Sequence, residues 1–367
     1  MKDVVFVRSS SKPARVQKEA ESLQNSGYSV CILYWDRGSN KSRVEYKNGT
    51  KINYFGLKAP YGKLSLLPYL LIWWIYELFF LLRTDSRIIH CCCFDTLIPA
   101  IFTKAIQKKK IVYDIFDFYS ESLPENIPSL IRNIISNFEK FCIRFVDSVI
   151  IVDNSRYVQI KDAKIKNLDI VMNCPNDVVY STKKSPHKEF IIFYGGMISK
   201  TRGLMELINA IRDLDNIKII IAGMGEDEDL FKEISSKTKN VTYLGWINYE
   251  KYIDLTLSSD LIFGFYDPKI PNNRLASPNK LFEAMMCSTP IIVNKETSMA
   301  EIVKQDKCGV VVPYSDCNSL KRSIIKLKEN QELCLKMGES GRKAFEKEYN
   351  WKIMESRLLN VYKSIAD

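Results

Sequence analysis

Histidine is nearly absent from this chain: 367 residues contain two, His90 and His187. Ten cysteines are present, but no two are spaced as CxxC, and Cys91-Cys92-Cys93 are adjacent. A zinc centre needs convergent sulfur and imidazole ligands at regular spacing, so this supply argues against one. Cys31, Cys142 and Cys287 lie in apolar contexts, which reads as reduced, buried thiol of a cytosolic protein. No GxGxxG follows the first strand, so a nicotinamide or flavin cofactor is disfavoured. Lysines are scattered, and no basic block interleaves with aromatics. The net charge of +10 therefore points to an anionic membrane surface or a nucleotide diphosphate ahead of nucleic acid. Met1–Val7 is too short an apolar run for a signal peptide and is expected to be the first strand of the mature protein.

A hydrophobic content of 46% and a charged content of 26% describe a folded chain whose length suits two domains. Val4–Val7, a polar loop, a helix from Arg15 to Leu23 and the apolar run Val30–Tyr34 make a strand–helix–strand unit. A parallel sheet follows from that. The same grammar continues through Ile88–Cys93, Lys110–Asp114 and Ser148–Val152. It restarts at Phe190–Tyr194 and runs through Ile217–Ala222, Val241–Leu244, Leu261–Tyr266 and Pro290–Asn294. The polar stretch from Asn173-Cys174-Pro175-Asn176 to Lys188 is the expected linker, giving α/β domains over 1–180 and 181–350.

One segment breaks the pattern. Residues 64–82, LSLLPYLLIWWIYELFFLL, carry Glu77 as their one charge. Three readings are open: a buried helix, a helix laid in a membrane surface with Trp73, Trp74 and Tyr76 at the interface, and a span. Pro68 and Glu77 weigh against the span. Lys58, Lys63 and Arg83 flank the run as anionic headgroups would favour.

The most informative stretch is Ser277-Pro278-Asn279-Lys280-Leu281-Phe282-Glu283. Ser277 is a good N-cap and Pro278 suits the first helical position. Free N–H groups, the positive end of the helix dipole and Lys280 suit a phosphate, and Glu283 shares the Lys280 face. Lys280 on the phosphates and Glu283 on ribose hydroxyls would hold a nucleoside diphosphate.

This stretch, with Tyr194-Gly195-Gly196 through Arg202-Gly203, Gly223-Met224-Gly225-Glu226 and Leu244-Gly245-Trp246, resembles the retaining glycosyltransferases of family 4. In the first half, His90–Leu97 is similar to that family's HxHDxDTL segment and Tyr113–Asp117 to its YDxHE segment. The resemblance implies the GT-B fold. Two Rossmann-like domains would face each other across a cleft, and a C-terminal helix, 351–367, would cross back to the first. It implies donor binding by Gly195, Gly196, Arg202, Gly245, Ser277, Pro278, Lys280 and Glu283, and acceptor binding by Ser10, Arg15 and Asp114. Asp117, His90, Arg202 and Lys280 would act at the reacting centre. No divalent metal or other cofactor is implied, because the cations and the helix terminus supply the positive charge.

The sequence departs from the family at Met197, where an arginine often stands, and at Leu275, where the first acid of a paired-glutamate motif would fall. Asn272, Asn273 or backbone near Ser277 would then meet the donor sugar. Cys92 and Cys93 replace a histidine and an aspartate, and Phe116 replaces the YDxHE histidine. The implied function is sugar transfer from a nucleoside diphosphate sugar to a lipid-linked glycan in surface polysaccharide assembly. The protein would be cytoplasmic and peripheral at the inner membrane face through 64–82. An epimerase of the same fold and a degenerate protein that binds a sugar nucleotide or a partner are the alternatives.

Overall fold

The computed structural model describes residues 3–10, 14–60, 64–123, 127–178 and 188–366. Pro13, Lys63, His187 and linker residues 181–187 lie outside them. The chain divides into two compact units, 1–172 with 354–367, and 173–353.

The first unit is built on an eight-stranded sheet in the order β3-β4-β2-β1-β5-β6-β7-β8. The strands are β1 (Asp3–Arg8), β2 (Ser29–Asp36), β3 (Arg43–Lys47), β4 (Thr50–Gly56), β5 (Ile88–Cys92), β6 (Lys110–Ile115), β7 (Ser148–Ile151) and β8 (Leu168–Ile170). All neighbours are parallel except the β3–β4 hairpin at the edge. Helices cover both faces of a parallel sheet, so its central strands are apolar on both sides. On one face Val5, Val7, Trp35, Ile89, Cys91 and Tyr113 meet the helices Leu67–Arg83, Leu97–Gln107 and Ser129–Ile143. The helix Trp351–Ala366 gives the first unit its residues from Met354 on. There the Met354 Sδ accepts from the Met172 N–H at 3.2 Å, and the Tyr362 hydroxyl meets His90 Nδ1 at 2.6 Å.

The second unit carries a six-stranded, wholly parallel sheet in the order β11-β10-β9-β12-β13-β14. Its strands are β9 (Phe190–Gly195), β10 (Ile217–Ala222), β11 (Val241–Tyr243), β12 (Leu261–Gly264), β13 (Ile291–Asn294) and β14 (Gly309–Val312). The helix Asn279–Met286 is buried at every position from Lys280 to Met286. Gly338 on the helix Gln331–Lys347 lets it approach closely, since a Cβ there would stand 2.0 Å from the Ser288 carbonyl oxygen.

Two expectations shift. The helix at the family stretch begins at Asn279 with Pro278 as its N-cap in an extended conformation, and no side chain caps it. Pro278 stands one position earlier than expected because its backbone turns into the helix only after it. The 64–82 run is a short 3-10 turn, Leu64–Leu66, and the helix Leu67–Arg83. Among the described residues no helix is long and apolar enough to cross a membrane. Trp73 does not face outward: it is 0% exposed and stacks on Trp35 at 5.6 Å. Trp74 donates to the Asp95 carbonyl at 2.9 Å, and Tyr76 stacks on Phe55 at 4.2 Å. The outward face is instead lined by Leu67, Leu71, Ile72, Ile75 and Phe79, all exposed.

Acids inside the first unit follow from the same packing. Burial pushes Glu139 up to about 8, against hydrogen bonds donated by the Tyr113 hydroxyl (2.6 Å) and the Tyr119 N–H (3.1 Å). A folded value above the unfolded one means the stabilising share is complete below about pH 4.3 and is lost as pH rises through about 8. Melting temperature should therefore fall between pH 5 and 9, and Glu139→Gln should flatten that slope when melting is followed across the range.

Candidate functional site

At the carboxyl edge of the second sheet, loops after β9, β10 and β11 are tied by backbone bonds. Gly196 N–H donates to Ala222 at 2.9 Å, Ile198 to Met224 at 2.9 Å and Gly223 to Gly245 at 2.8 Å. Gly223, at φ +136°, has no room for a side chain, because a Cβ would fall 1.7 Å from the Gly196 oxygen. Gly196 itself sits at φ +145°, a backbone state that glycine alone adopts readily. Ligands of open parallel sheets bind outside this edge.

Lys280 reaches this edge from the first turn of its helix. Its side chain is buried, at 6% exposure, and no described residue offers its ammonium a hydrogen-bond acceptor. The Nζ lies 3.7 Å from the centre of the Tyr194 ring and 5.6 Å from that of Tyr266. Burial drives its pKa well down, Arg202 lowers it further, and Glu283 opposes both. Arg202 stands beside it, with its guanidinium 4.2 Å above the Tyr266 ring and Nη1 donating to Asn273 Oδ1 at 2.9 Å. Ser199 organises the approach to Arg202 by accepting from the Thr201 N–H while donating to Glu226 at 2.8 Å. Glu283 is buried one turn after Lys280, and burial together with its carboxylate pushes up the phenols of Tyr249 and Tyr252. Gly245, at φ +66°, faces open space. Ser277 and Pro278 lead into the helix, so the expected donor residues all gather here. The chemistry on offer is a positively charged, partly dry seat for an anion beside a carboxylate for hydroxyl groups.

The first unit presents a different picture. Asp114, at the end of β6, is fully buried and pairs with Arg15, whose Nε and Nη2 donate at 3.1 to 3.2 Å. Arg15 Nη1 also donates to the Val171 carbonyl at 2.7 Å. His90 Nε2 lies 3.5 Å from Asp114 and 3.8 Å from Glu19, and its ring stacks on Phe6 at 4.3 Å. Burial raises Asp114, but Arg15 and then His90 outweigh it and leave it lowered; burial, with Arg15, lowers His90, and burial, with Asp114, lifts Glu19 to about 8 against Arg15. The structure thus brings Arg15, His90 and Asp114 together inside the unit, engaged with one another and with Tyr362. Glu19, His90 and Asp114 offer atoms within 4.8 Å of one another, the spacing of a metal triad. Arg15 already pairs with both carboxylates, at 2.9 and 3.1 Å, so a divalent cation would face a fixed guanidinium and the set does not suit one.

Nearer the surface, Asp117 is about half exposed and accepts from Arg156 Nη2 at 2.9 Å. Ser10 accepts from Arg8 Nε at 3.2 Å. Phe116 lies under two guanidiniums, 4.5 Å from Arg8 and 4.9 Å from Arg15, which accounts for an aromatic ring where the family carries histidine. Sequence reasoning missed Arg8, Ser9 and Arg37. Ser9 donates to Asp95, and Arg37 Nη2 approaches Ser9 at 3.2 Å and Asp95 at 3.7 Å. Their positions at or just beyond the ends of β1 and β2, at the ligand edge of the sheet, were the available signal. Cys93, at φ +75° and ψ 167°, is strained at this edge, and Arg8 Nη1 donates to its sulfur at 2.7 Å.

Residues 181–344 match the family described as Glycosyl transferases group 1. A phosphatidyl-myo-inositol mannosyltransferase of Mycobacterium leprae is 22% identical over 180 residues, 48% of this chain and 46% of that protein. The chain spans about half the length of the curated relatives it matches. Sucrose-phosphate synthase from Thermosynechococcus elongatus superposes with a TM-score of 0.78 at 14% identity, covering 100% of this chain and 99% of that one. The Anabaena protein HepE, solved with UDP and glucose, gives 0.73 at 15% identity with both chains fully covered. The family match thus falls on the second unit, and the chain as a whole has the GT-B fold.

An anion arriving at Lys280 restores the charge that burial suppresses, so binding should take up a proton at a pH between the lowered and the restored pKa. Calorimetry of UDP or GDP binding in buffers of different ionisation enthalpy should report that uptake. Lys280→Arg, whose guanidinium stays charged throughout, should abolish it.

Proposed function

We propose that the chain is a retaining glycosyltransferase that uses a nucleoside diphosphate sugar held by its second unit. The observation that carries this reading is the buried Lys280 ammonium without an acceptor, beside Arg202 and the uncapped helix terminus. A buried cation without a hydrogen-bond acceptor is expensive, and a diphosphate supplies acceptor oxygens and further negative charge. When the bond from the anomeric carbon to the phosphate oxygen breaks, negative charge develops on the leaving diphosphate. Lys280 and Arg202 stand where they stabilise it, so no divalent metal is required. The departing phosphate oxygen takes the proton of the acceptor hydroxyl on the same face of the sugar, which preserves configuration without a carboxylate nucleophile. Glu283 holds the ribose diol, and Gly245 leaves the base its space.

The acceptor is a glycan, lipid-linked at the cytoplasmic membrane face, engaged by the first unit through Asp117, Ser10 and their arginine neighbours. Two features support the lipid. The helices Leu67–Arg83, Leu97–Gln107 and Ser129–Ile143 share one face of the sheet. Their outer sides expose the large apolar side chains Leu71, Ile75, Phe79, Phe102, Ile134 and Phe141, the kind of surface through which a membrane is met. The M. leprae relative is, by its name, a phosphatidyl-myo-inositol mannosyltransferase.

Thermal melting with UDP, GDP, ADP and CMP tests the donor. One nucleotide at a hundredfold its Kd should add about 2.7 kcal/mol to wild-type stability and little to Glu283→Ala; no shift from any of the four contradicts the reading. The membrane claim is tested by sedimentation with vesicles containing phosphatidylglycerol. Ile75→Glu with Phe79→Glu should release the protein while sparing nucleotide binding, and undiminished sedimentation contradicts the claim.

A further inference from the structure

The sheet of the first unit reverses its order at β1. The chain winds outward from β1 through β2 to β4, then returns to place β5 on the other flank of β1. Ligands of open parallel sheets bind in the crevice outside the carboxyl ends of the strands where the order reverses. Arg8 is the last residue of β1 and Cys93 the first beyond β5, so the two stand across that crevice. Arg8 Nη1 donates to the Cys93 sulfur at 2.7 Å, and Nε donates to the Ser10 hydroxyl at 3.2 Å. These bonds use two of the five N–H donors of a guanidinium, and no described residue accepts from the others. The acids of this edge are engaged elsewhere. Asp95 accepts from Ser9 and faces Arg37 at 3.7 Å, and Asp117 accepts from Arg156 at 2.9 Å.

Arg8 therefore brings to the crevice a positive charge that forms no ion pair among the described residues. Lys280 can shed its proton when buried, but a guanidinium cannot. The thiol brings no compensation: burial pushes it up to about 11 against the pull of Arg8, which keeps it neutral. Phe116 offers only the face of its ring, at 4.5 Å. The helix Ala14–Asn25 starts from the same loop with no acid in its first turn, which adds the positive end of a dipole. We propose that this crevice is an oxyanion site in which Arg8 receives a phosphate or carboxylate carried by the acceptor. The acceptor is then an anionic glycan, charged at the phosphate that links it to a lipid or at the carboxylate of an acidic sugar. That acceptor role rests on the transferase reading above, whereas binding of the anion is independent of the nucleotide seat.

Calorimetry at low ionic strength compares glucose 1-phosphate, glucuronate and methyl glucoside as probes. It uses Lys280→Met protein, which keeps phosphate out of the second unit's seat, and the same protein with Arg8→Met added. The Lys280→Met protein should bind at least one of the two anions about tenfold more tightly than methyl glucoside. Adding Arg8→Met should weaken that anion by about tenfold, on the order expected for hydrogen bonds to a charged group, and leave methyl glucoside unchanged. Glucose 1-phosphate as the tighter probe assigns the linking phosphate, and glucuronate assigns the acidic sugar. The Arg8→Met protein should melt within a few degrees of its parent, and Arg8→Gln takes its place if it melts early. Equal anion binding with and without Arg8 overturns the proposal, as does a preference for methyl glucoside or failure of both anions to bind. A wild type that takes up an anion through Arg8 but binds no nucleotide overturns the transferase reading and leaves the oxyanion site standing.

Discussion

An amine buried without a hydrogen-bond acceptor is the constraint around which the second unit is arranged. The helix that carries Lys280 is covered on all sides, so the side chain cannot swing into solvent without unpacking the unit. The nearest compensation is the face of Tyr194 at 3.7 Å. A cation–π contact contributes about 2 kcal/mol when desolvated, whereas burying a charged group costs several kcal/mol even after relaxation. The lowered pKa of Lys280 is how the unliganded protein settles this difference. Arg202 deepens the imbalance. The glycines at 196 and 223 matter for the same reason: they let backbone and lysine share a space that any side chain would fill.

The first unit resolves its buried charge in the opposite way. Arg15 meets Asp114 and Glu19, His90 meets Tyr362, and burial keeps Glu19 and Glu139 protonated toward neutral pH. That network is closed on itself and ties the C-terminal helix to the sheet. The open groups of this unit are at the loop ends, where Asp117 and Ser10 meet Arg156 and Arg8. The contrast separates an interior cluster that supports the fold from an edge that has capacity left for a ligand.

The sheet-forming runs and their alternation with helices were legible because buried parallel strands are near-continuous Val, Ile and Phe runs. The phosphate-type stretch was legible because proline, lysine and glutamate have local roles at a helix start. Long-range partners were not. Nothing adjacent to Arg15 or His90 in the chain announces that Asp114 and Tyr362 meet them in the interior. Whether Trp73 is interfacial or buried stayed open because composition alone cannot say which side of an apolar helix faces the core; Trp35, far off in sequence, decides it. Arg8 and Arg37 were overlooked because a lone arginine after a strand carries no motif.

The most direct measurement is phosphorus NMR of a nucleoside diphosphate, chosen as the one that stabilises the protein, titrated with wild type and with Lys280→Met. Displacement or strong broadening of the β-phosphorus signal by wild type, lost in the methionine variant, is the expected result. An unchanged signal with wild type, or an equal displacement by both proteins, would contradict a diphosphate seat built on Lys280.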